Sequence, residues 1–478
     1  MSGEIETNHE EKEPIEEVLK HYLIAIDAIT STAKIALPHI LEWKASEIKE
    51  LQNKLKKFED IEDESTGKKG LKAENARDFA EIAVCLRQLE GISKKKFDTY
   101  LAKSLFTQLF AEFDAYVGEL LKVIYLSNSS LLKGIVREIS LSEIMEFSDL
   151  DSVKLAMLNK EIETLRRESY IEQFSALEKK FKIELKKFTE WSAFVELSQR
   201  RNIIMHNGGV VSDQYINVCR KEGYQFLKDI NVDDSLGVSP EYFFNASRIL
   251  SKVGLMLAYT LWSKVFPKKI EKIHESLNNT IYDCLQNKQW KFVAELGDFI
   301  FSGPMLNKIQ EINHKIRIIN YSIGLKFSGQ SEEAEKFINS VDWSANYRDF
   351  KLAIEVLREN YPQAIRLMKS IGRNGELVYQ HCYHVWPLFT RFREQQEFYD
   401  AYYEIYGEHF VESLQIADET IKATIETANS SSDDQRSHEE LIVDSQLETN
   451  KDDESNNIRS TDEENTQDDE ESEKYKYS

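Results

Sequence analysis

The chain has 478 residues, 41% of them hydrophobic, and a net charge of −22, so it is long and apolar enough for two or three folded domains. It contains only 18 glycines and seven prolines, and no proline lies between Pro38 and Pro240. A proline-free stretch of about 200 residues favours long helices over short strands and turns, and the composition excludes collagen-like, disulfide-rich and wholly disordered proteins. The sequence therefore predicts an all-α fold.

The first part of the chain predicts a disordered acidic N-terminus over residues 1–13, followed by N-terminal helices and a linker over residues 14–74. Within the second segment, we expect a helix break near Pro38 and a charged linker at residues 59–70. No window supplies the roughly 18 uncharged apolar residues that a membrane span needs, so no membrane contact is expected. Four scattered cysteines favour a reducing, cytoplasmic compartment.

Residues 75–267 are predicted to form one helical bundle. Apolar side chains recur at helical spacing over residues 75–125, 141–165, 170–206 and 242–266. Asn207-Gly208-Gly209 is expected to end the third of these segments, because glycine is the usual residue just beyond a helix C-terminus.

Residues 268–428 are predicted to form helix–turn–helix pairs. The segment 323–338 aligns with 353–368 at an offset of 30 residues, and each second helix carries a small alanine that allows close packing. The pattern resembles a degenerate tetratricopeptide-like (TPR-like) array, which implies a protein or peptide partner. An ordinary helical domain is the alternative. The aromatic residues expected in the core of the last repeat are Trp386, Phe389, Phe392, Phe398, Tyr402 and Tyr406.

Residues 429–478 are predicted to be a disordered acidic tail. The last 48 residues contain 17 Asp or Glu against 5 Lys or Arg, and they have too few apolar side chains to form a core. A solubilising role is favoured, and competition with nucleic acid for a basic site is the alternative.

One segment, residues 191–209, contains the residue types that RNA cleavage requires. Arg201, Asn202 and His206 lie near the end of a predicted amphipathic helix. Cleavage of RNA by its own 2′-hydroxyl needs a base, an acid and a cation on the crowded phosphate, and it needs no metal. Histidine transfers protons near neutral pH, and arginine provides a forked, permanent charge for phosphate oxygens.

Helix geometry limits how these side chains meet. Arg201 and His206 are five residues apart, which is about 140° of rotation, so they do not share a face. Asn202 and His206 do share one, as do Glu196 and Arg200, which we expect to form an ion pair that orients the helix. Arg201 must therefore wrap around the helix, or a second copy must complete the site. The alternative is that His206 only ends a helix and Arg201 pairs with a surface carboxylate.

The segment resembles the HEPN superfamily, in particular its bacterial RiboL-PSP-HEPN and MAE-type members, helical domains that include many metal-independent endoribonucleases. The family motif is an arginine, a polar residue, a short spacer and a histidine, matched here by Arg201, Asn202 and His206 with a spacer of three residues. The resemblance covers residues 75–265 and implies a homodimer with a composite RNA-cleaving site, as in toxins and anti-phage defence proteins. The implied supporting residues are Glu196 and Arg200. Neither a metal nor a cofactor is expected.

Basic residues precede the motif. Residues 178–201 hold seven basic and four acidic side chains, and Lys94-Lys95-Lys96 is a second cluster. We predict that lysines of the first cluster contact RNA phosphates, and solvated helix faces are the alternative. These lysines are Lys179, Lys180, Lys182, Lys186 and Lys187. The second hypothesis for the whole chain is a non-catalytic adaptor, in which the array binds a partner and the bundle only dimerises.

Overall fold

The computed structural model describes residues 13–62, 69–136, 138–344 and 347–410, and these residues are mostly helical, with only two short strands among them. The predicted all-α class is therefore confirmed. The acidic tail at 429–478, the end of the predicted repeat domain and all of the predicted N-terminus except Glu13 lie outside the described residues.

Ten helices and one short hairpin make up the first part of the described chain. The helices are α1 (Pro14–Leu55), α2 (Ala76–Lys94), α3 (Phe97–Leu126), α4 (Ser129–Leu132), α5 (Leu141–Ile144), α6 (Leu150–Arg167), α7 (Tyr170–Phe181), α8 (Trp191–His206), α9 (Asp213–Lys221) and α10 (Pro240–Val265). Strands β1 (Asp60–Glu62) and β2 (Lys69–Leu71) pair antiparallel. The segment 59–70, predicted to be only a linker, thus contains strand β1 and most of strand β2.

The later helices follow a short 3₁₀ turn at Pro267–Lys269. They are α11 (Ile270–Gln286), α12 (Trp290–Glu295), α13 (Gly297–Ile300), α14 (Gly303–Leu306), α15 (Glu311–Phe327), α16 (Ser331–Asn339), α17 (Arg348–Leu357), α18 (Tyr361–Ile371), α19 (Gln380–Val385) and α20 (Gln396–Tyr406). Two further 3₁₀ turns lie at Pro387–Phe389 and Phe392–Glu394.

Helix α1 is continuous, so the predicted break near Pro38 is wrong. Pro38 is exposed, whereas Leu37 beside it and Leu51 further along are buried. The backbone hydrogen bond that proline cannot donate is therefore lost on the solvent side, while packing against α2, α3 and α10 holds both halves of the helix in line.

Helix α1 is also notably apolar. It contains an 18-residue window with a mean hydropathy of 1.3, which by length and composition alone is apolar enough to cross a membrane. Helix α10 with the bent segment Pro267–Gln286 passes the same test only as a pair, with an angle of 105° between them. Only 17% of the α1 window is buried, on the face of the helix that packs into the bundle.

Helix α3 lies at the centre of the first bundle and packs against α1, α6, α8 and α10. At its contact with α1, the rings of Tyr22 and Tyr116 stack with their centroids 4.2 Å apart. The hydroxyl of Tyr22 donates to the carbonyl of Leu250 at 2.9 Å, and that of Tyr116 donates to the carbonyl of Gly254 at 2.8 Å. A Cβ atom on Gly254 would lie 2.3 Å from the Tyr22 ring, so three helices approach closely only because this position is glycine.

Three helix–turn–helix connections share one turn geometry: α11–α12, α15–α16 and α17–α18. In each, one residue adopts a left-handed conformation, namely Lys288 (φ 57°), Gly329 (φ 87°) and Glu359 (φ 58°). The next residue donates its N–H to the carbonyl five positions back, in the pairs Gln289–Cys284, Gln330–Leu325 and Asn360–Glu355 at 2.8–2.9 Å. Gly329 and Glu359 are 30 residues apart, so the offset predicted from the sequence relates two equivalent turns. The TPR identity of the array stays a prediction.

The chain divides into two compact units. The first comprises Met1–Asn360 with Val385–Leu388, and the second comprises Tyr361–His384 with the chain from Phe389 onward. The second unit has an aromatic core, and the predicted core residues that are fully buried there are Phe389, Phe392, Phe398 and Tyr402. Trp386 was wrongly assigned to this core. It lies in the first unit, where its indole N–H donates to Asn320 at 3.2 Å.

Replacing Gly254 with alanine tests the tight packing of the bundle. We expect Gly254→Ala to lower the free energy of unfolding by about 1–3 kcal/mol, because the pinned ring of Tyr22 cannot move away from the added methyl group. Gly91→Ala in α2 is the matched control, since a Cβ atom there meets nothing within 4 Å. Better helix propensity should stabilise that variant by up to about 1 kcal/mol. Urea unfolding of both variants measures the difference, and equal stability would contradict this packing.

Candidate functional site

Helix α8 ends at His206, as predicted, because the following glycines turn the chain. Gly208 and Gly209 are left-handed, with φ of 62° and 93°. The carbonyl of Ile203 accepts hydrogen bonds from the N–H groups of Asn207 at 2.8 Å and of Gly209 at 2.9 Å. A Cβ atom on Gly209 would also lie 2.5 Å from the carbonyl oxygen of Leu236. Both the backbone conformation and the available space therefore require glycine at this position.

Helix α3 supports the end of α8. Lys103 Nζ donates to the carbonyl of Gly208 at 3.1 Å, and Thr107 Oγ1 donates to Met205 Sδ at 3.6 Å. At successive contacts, the residue number increases along α3 while it decreases along α8, so the two helices run antiparallel. Helix α3 thus holds the C-terminal end of α8 in place, and Met205 and His206 at this end are exposed.

A buried carboxylate fixes the opposite side of α8. Glu196 is 1% exposed. Its Oε1 accepts from Arg200 Nε at 2.9 Å and from the Tyr215 hydroxyl at 2.5 Å, and its Oε2 accepts from the Tyr242 hydroxyl at 2.7 Å. The Arg200 guanidinium lies 4.4 Å from the centre of the Tyr242 ring and also donates to the carbonyl of Gly237 at 3.2 Å. The predicted Glu196–Arg200 ion pair is confirmed, and it joins α8 to α9 and α10.

The charges of this network change the acidity of its neighbours. Burial, and then the Glu196 carboxylate, raises the pKa of both Tyr215 and Tyr242, so both hydroxyls stay protonated and donate. The same two causes raise the pKa of Cys219 to about 12, so this thiol is not a nucleophile at neutral pH. Burial alone would lower the pKa of Arg200, but the neighbouring Tyr242 and Glu196 raise it. Glu196 and Arg200 therefore act as a structural pair.

Arg201 points to a different neighbour. Its Nη2 lies 3.7 Å from Asp114 Oδ2 on α3, and its Nη1 donates to Asn202 Oδ1 at 3.2 Å. Asp114 in turn accepts from the Tyr170 hydroxyl at 2.6 Å. Burial raises the pKa of Asp114, although the Tyr170 hydrogen bond and the charges of Arg201 and Arg166 act in the other direction. Asp114 thus holds the Arg201 guanidinium against α3.

Within a single chain, Arg201 and His206 do not form a shared site. Arg201 and Asn202 are half-buried, whereas His206 is exposed. Within the described residues, the His206 imidazole makes no hydrogen bond and no ion pair. The structure therefore brings Arg201 together with Asn202 and Asp114, and leaves His206 open to solvent on another face of α8.

Sequence reasoning missed Asp114, Tyr170 and Lys103. Asp114 had a signal, because it follows Phe113 in a strongly apolar helix, and a carboxylate at such a position needs a cation or hydrogen-bond donors. The identity of those partners depends on contacts between distant segments, which spacing within one helix does not reveal.

The lysines predicted to contact RNA lie near the N-terminal end of α8. That helix has 16 residues, so this end is about 24 Å from His206. Lys179 is exposed and Lys182 ends α7 in a left-handed conformation with φ of 53°. The other three form ion pairs, which are Lys180–Glu161 at 3.7 Å, Lys186–Glu178 at 3.8 Å and Lys187–Glu184 at 2.7 Å. Lys103 and Arg166 are basic residues nearer to the motif.

Comparisons with known proteins return no match for this chain, whether with family models, with curated proteins or with solved structures. The HEPN resemblance therefore stays a prediction. In the part of the chain that the structure describes, no group of three or more His, Cys, Asp or Glu side chains is placed to hold a metal ion.

Removing one donor from Glu196 tests the network that fixes α8. We expect Tyr215→Phe to lower the free energy of unfolding by about 1–3 kcal/mol, because a buried carboxylate loses a hydrogen bond that water cannot replace. Tyr224→Phe is the matched control, since its hydroxyl bonds no described residue, and it should change stability by less than about 0.5 kcal/mol. Urea unfolding compares the two variants. Equal effects would show that the Tyr215 hydrogen bond contributes nothing specific.

Proposed function

We propose that this chain is a metal-independent endoribonuclease whose active site forms between two copies of α8 in a homodimer. The observation that carries the proposal is the end of α8, where an exposed histidine follows an arginine that is held on a different face. His206 is free to meet a substrate, and Arg201 has donors left for a phosphate. The HEPN-type bundle and the TPR-like array inferred from the sequence belong to the same proposal.

The chemistry needs only the side chains of this site and the RNA. The 2′-oxygen of a ribose attacks the adjacent phosphorus while its proton passes to the neutral imidazole of one His206. The bond from phosphorus to the 5′-oxygen then breaks, and the same His206, now protonated, gives that proton to the departing 5′-oxygen while Arg201 of the second copy holds the phosphate. The products are a 2′,3′-cyclic phosphate and a 5′-hydroxyl, and no metal takes part.

Arg201 stabilises the negative charge that develops on the phosphate. Its distance of 3.7 Å from Asp114 is too long for a hydrogen bond, so the ion pair orients the guanidinium without occupying its donors. Asn202 accepts only one of the five N–H groups. A phosphate can therefore bind the remaining outer N–H groups in the forked geometry that arginine favours.

A second copy of the chain would complete the site. The rotation of about 140° between Arg201 and His206 places them on different faces of one helix, so a partner helix is the simplest source of the missing side chain. Two exposed apolar residues, Met205 at 52% and Tyr100 at 74%, lie on the helices that form this end of the bundle and suit a protein contact. Lys103 and Arg166 add positive charge for the RNA backbone.

The biological setting follows from the activity. An enzyme that cleaves tRNA or mRNA in the cytoplasm arrests growth, so a role as a toxin or an anti-phage defence effector fits the proposal. The repeated helix pairs would then bind the protein or peptide that regulates cleavage.

A non-catalytic adaptor is the second candidate, and the Arg201–Asp114 pair favours it. An arginine that is half-buried beside a carboxylate also serves as an ordinary structural contact. In that case the repeated helix pairs carry the function, and the bundle only dimerises.

Two alanine variants separate these candidates. We expect Arg201→Ala and His206→Ala each to slow RNA cleavage at least about 100-fold, because each removes a group that acts in the transition state. The matched controls are Arg220→Ala and His21→Ala, two exposed residues away from the motif, which should keep wild-type activity. Cleavage of total cellular RNA, with mapping of the 5′-hydroxyl ends, measures the effect. Equal cleavage by all five proteins would exclude the nuclease.

A further inference from the structure

A cleft in the first unit lies at the N-terminal end of α8, away from the proposed RNA site. Its volume is about 580 Å³, within the range of about 300–1,000 Å³ that is typical of small-molecule sites. Three separate segments form it: the connection from α7 to α8, the second half of α10, and the chain around α13 and α14. We propose that this cleft binds a nucleoside phosphate.

The cleft has more basic than acidic lining residues, with Lys182, Lys187, Lys252, Lys264 and Lys308 against Glu184, Glu190 and Asp298. Lys182, Lys264 and Lys308 line it and are exposed, and none of the three pairs with a described carboxylate. The backbone at Lys182 and Lys308 is left-handed, with φ of 53° and 56°, a conformation that residues other than glycine rarely adopt. The three ammonium groups are therefore available to an anion, and phosphate oxygens are suitable partners for them.

The floor of the cleft is apolar and partly aromatic. Phe174 and Phe299 are buried and Phe188 is half-buried, and all three line the cleft beside Val253 and Leu257. A planar base gains both burial and ring contacts against such walls. A ligand that was only an anion, such as inorganic phosphate, would leave this surface unused.

Glu190 indicates a ligand that also donates hydrogen bonds. One of its carboxylate oxygens pairs with Lys252, which is 4% exposed and also donates to the carbonyl of Glu295 at 2.5 Å. The other oxygen, Oε2, is buried and accepts no hydrogen bond from the described residues. Both Glu190 and Lys252 line the cleft. A ribose hydroxyl or a base amino group supplies a donor for this oxygen, whereas a fatty acid offers none.

Internal hydrogen bonds shape one wall of the cleft in advance. Arg317 is fully buried and donates to the carbonyls of Ile300 at 3.1 Å and Met305 at 2.8 Å. The His274 ring lies 3.1 Å from the carbonyl oxygen of Asn307. Met305 and Asn307 line the cleft, so its wall does not have to be ordered when a ligand binds, and this favours affinity.

Titration calorimetry on the full chain, without RNA, tests this inference. The probes are the four ribonucleoside triphosphates, adenosine and inorganic tripolyphosphate. We expect at least one nucleotide to bind at micromolar concentrations, and adenosine and tripolyphosphate to bind at least about tenfold more weakly, because each has only part of the complementary chemistry.

Charge-reversal variants locate the binding site. Lys264→Glu and Lys308→Glu should each weaken nucleotide binding about tenfold or more, because a carboxylate then faces the phosphates. Lys221→Glu on α9 is the matched control, an exposed lysine outside the cleft, and it should bind like the wild type. All three positions are exposed, and thermal unfolding checks that the variants remain folded.

Three results would overturn the inference: no nucleotide binds, tripolyphosphate binds as tightly as the best nucleotide, or Lys221→Glu weakens binding as much as the cleft variants do. The measurement uses no RNA, and the cleft variants leave Arg201 and His206 unchanged, so a loss of binding in these variants reports on the cleft and not on the proposed nuclease site.

Discussion

The buried carboxylate of Glu196 determines how α8 sits in the bundle. Its two oxygens accept hydrogen bonds from Arg200 on the same helix, from Tyr215 on α9 and from Tyr242 on α10. A charge this deeply buried is tolerated only when all of its partners are in place, so the network allows a single rotation of α8. The positions of Arg201 and His206 follow from that rotation.

With Arg200 turned towards α9 and α10, the next residue must turn towards α3. There Asp114 receives Arg201, and the remaining turn of the helix carries His206 out to solvent. One chain thus offers a phosphate-binding cation and a proton-transfer group on different faces of the same helix. This separation is the physical reason for proposing a site shared by two copies. The cleft at the other end of α8 lies beside Glu190, so one helix has a candidate site at each end.

Local patterns in the sequence predicted local structure well. The helical class, the end of α8 before its glycines and the Glu196–Arg200 pair depend on residues within a few positions of one another, and all three are confirmed. The continuity of α1 through Pro38 was missed because packing by other helices overrides the local signal of proline. The Asp114 partner of Arg201 and the composition of the cleft were missed for a related reason: both join segments that are far apart in the chain.

Mixing two inactive variants tests the shared site most directly. If Arg201 of one copy acts with His206 of the other, a mixed dimer of Arg201→Ala and His206→Ala contains one complete site. An equal mixture after subunit exchange should then cleave RNA at about a quarter of the wild-type rate, because about half of the dimers are mixed and each has one of its two sites intact. A mixture that stays as inactive as either variant alone would contradict the composite site.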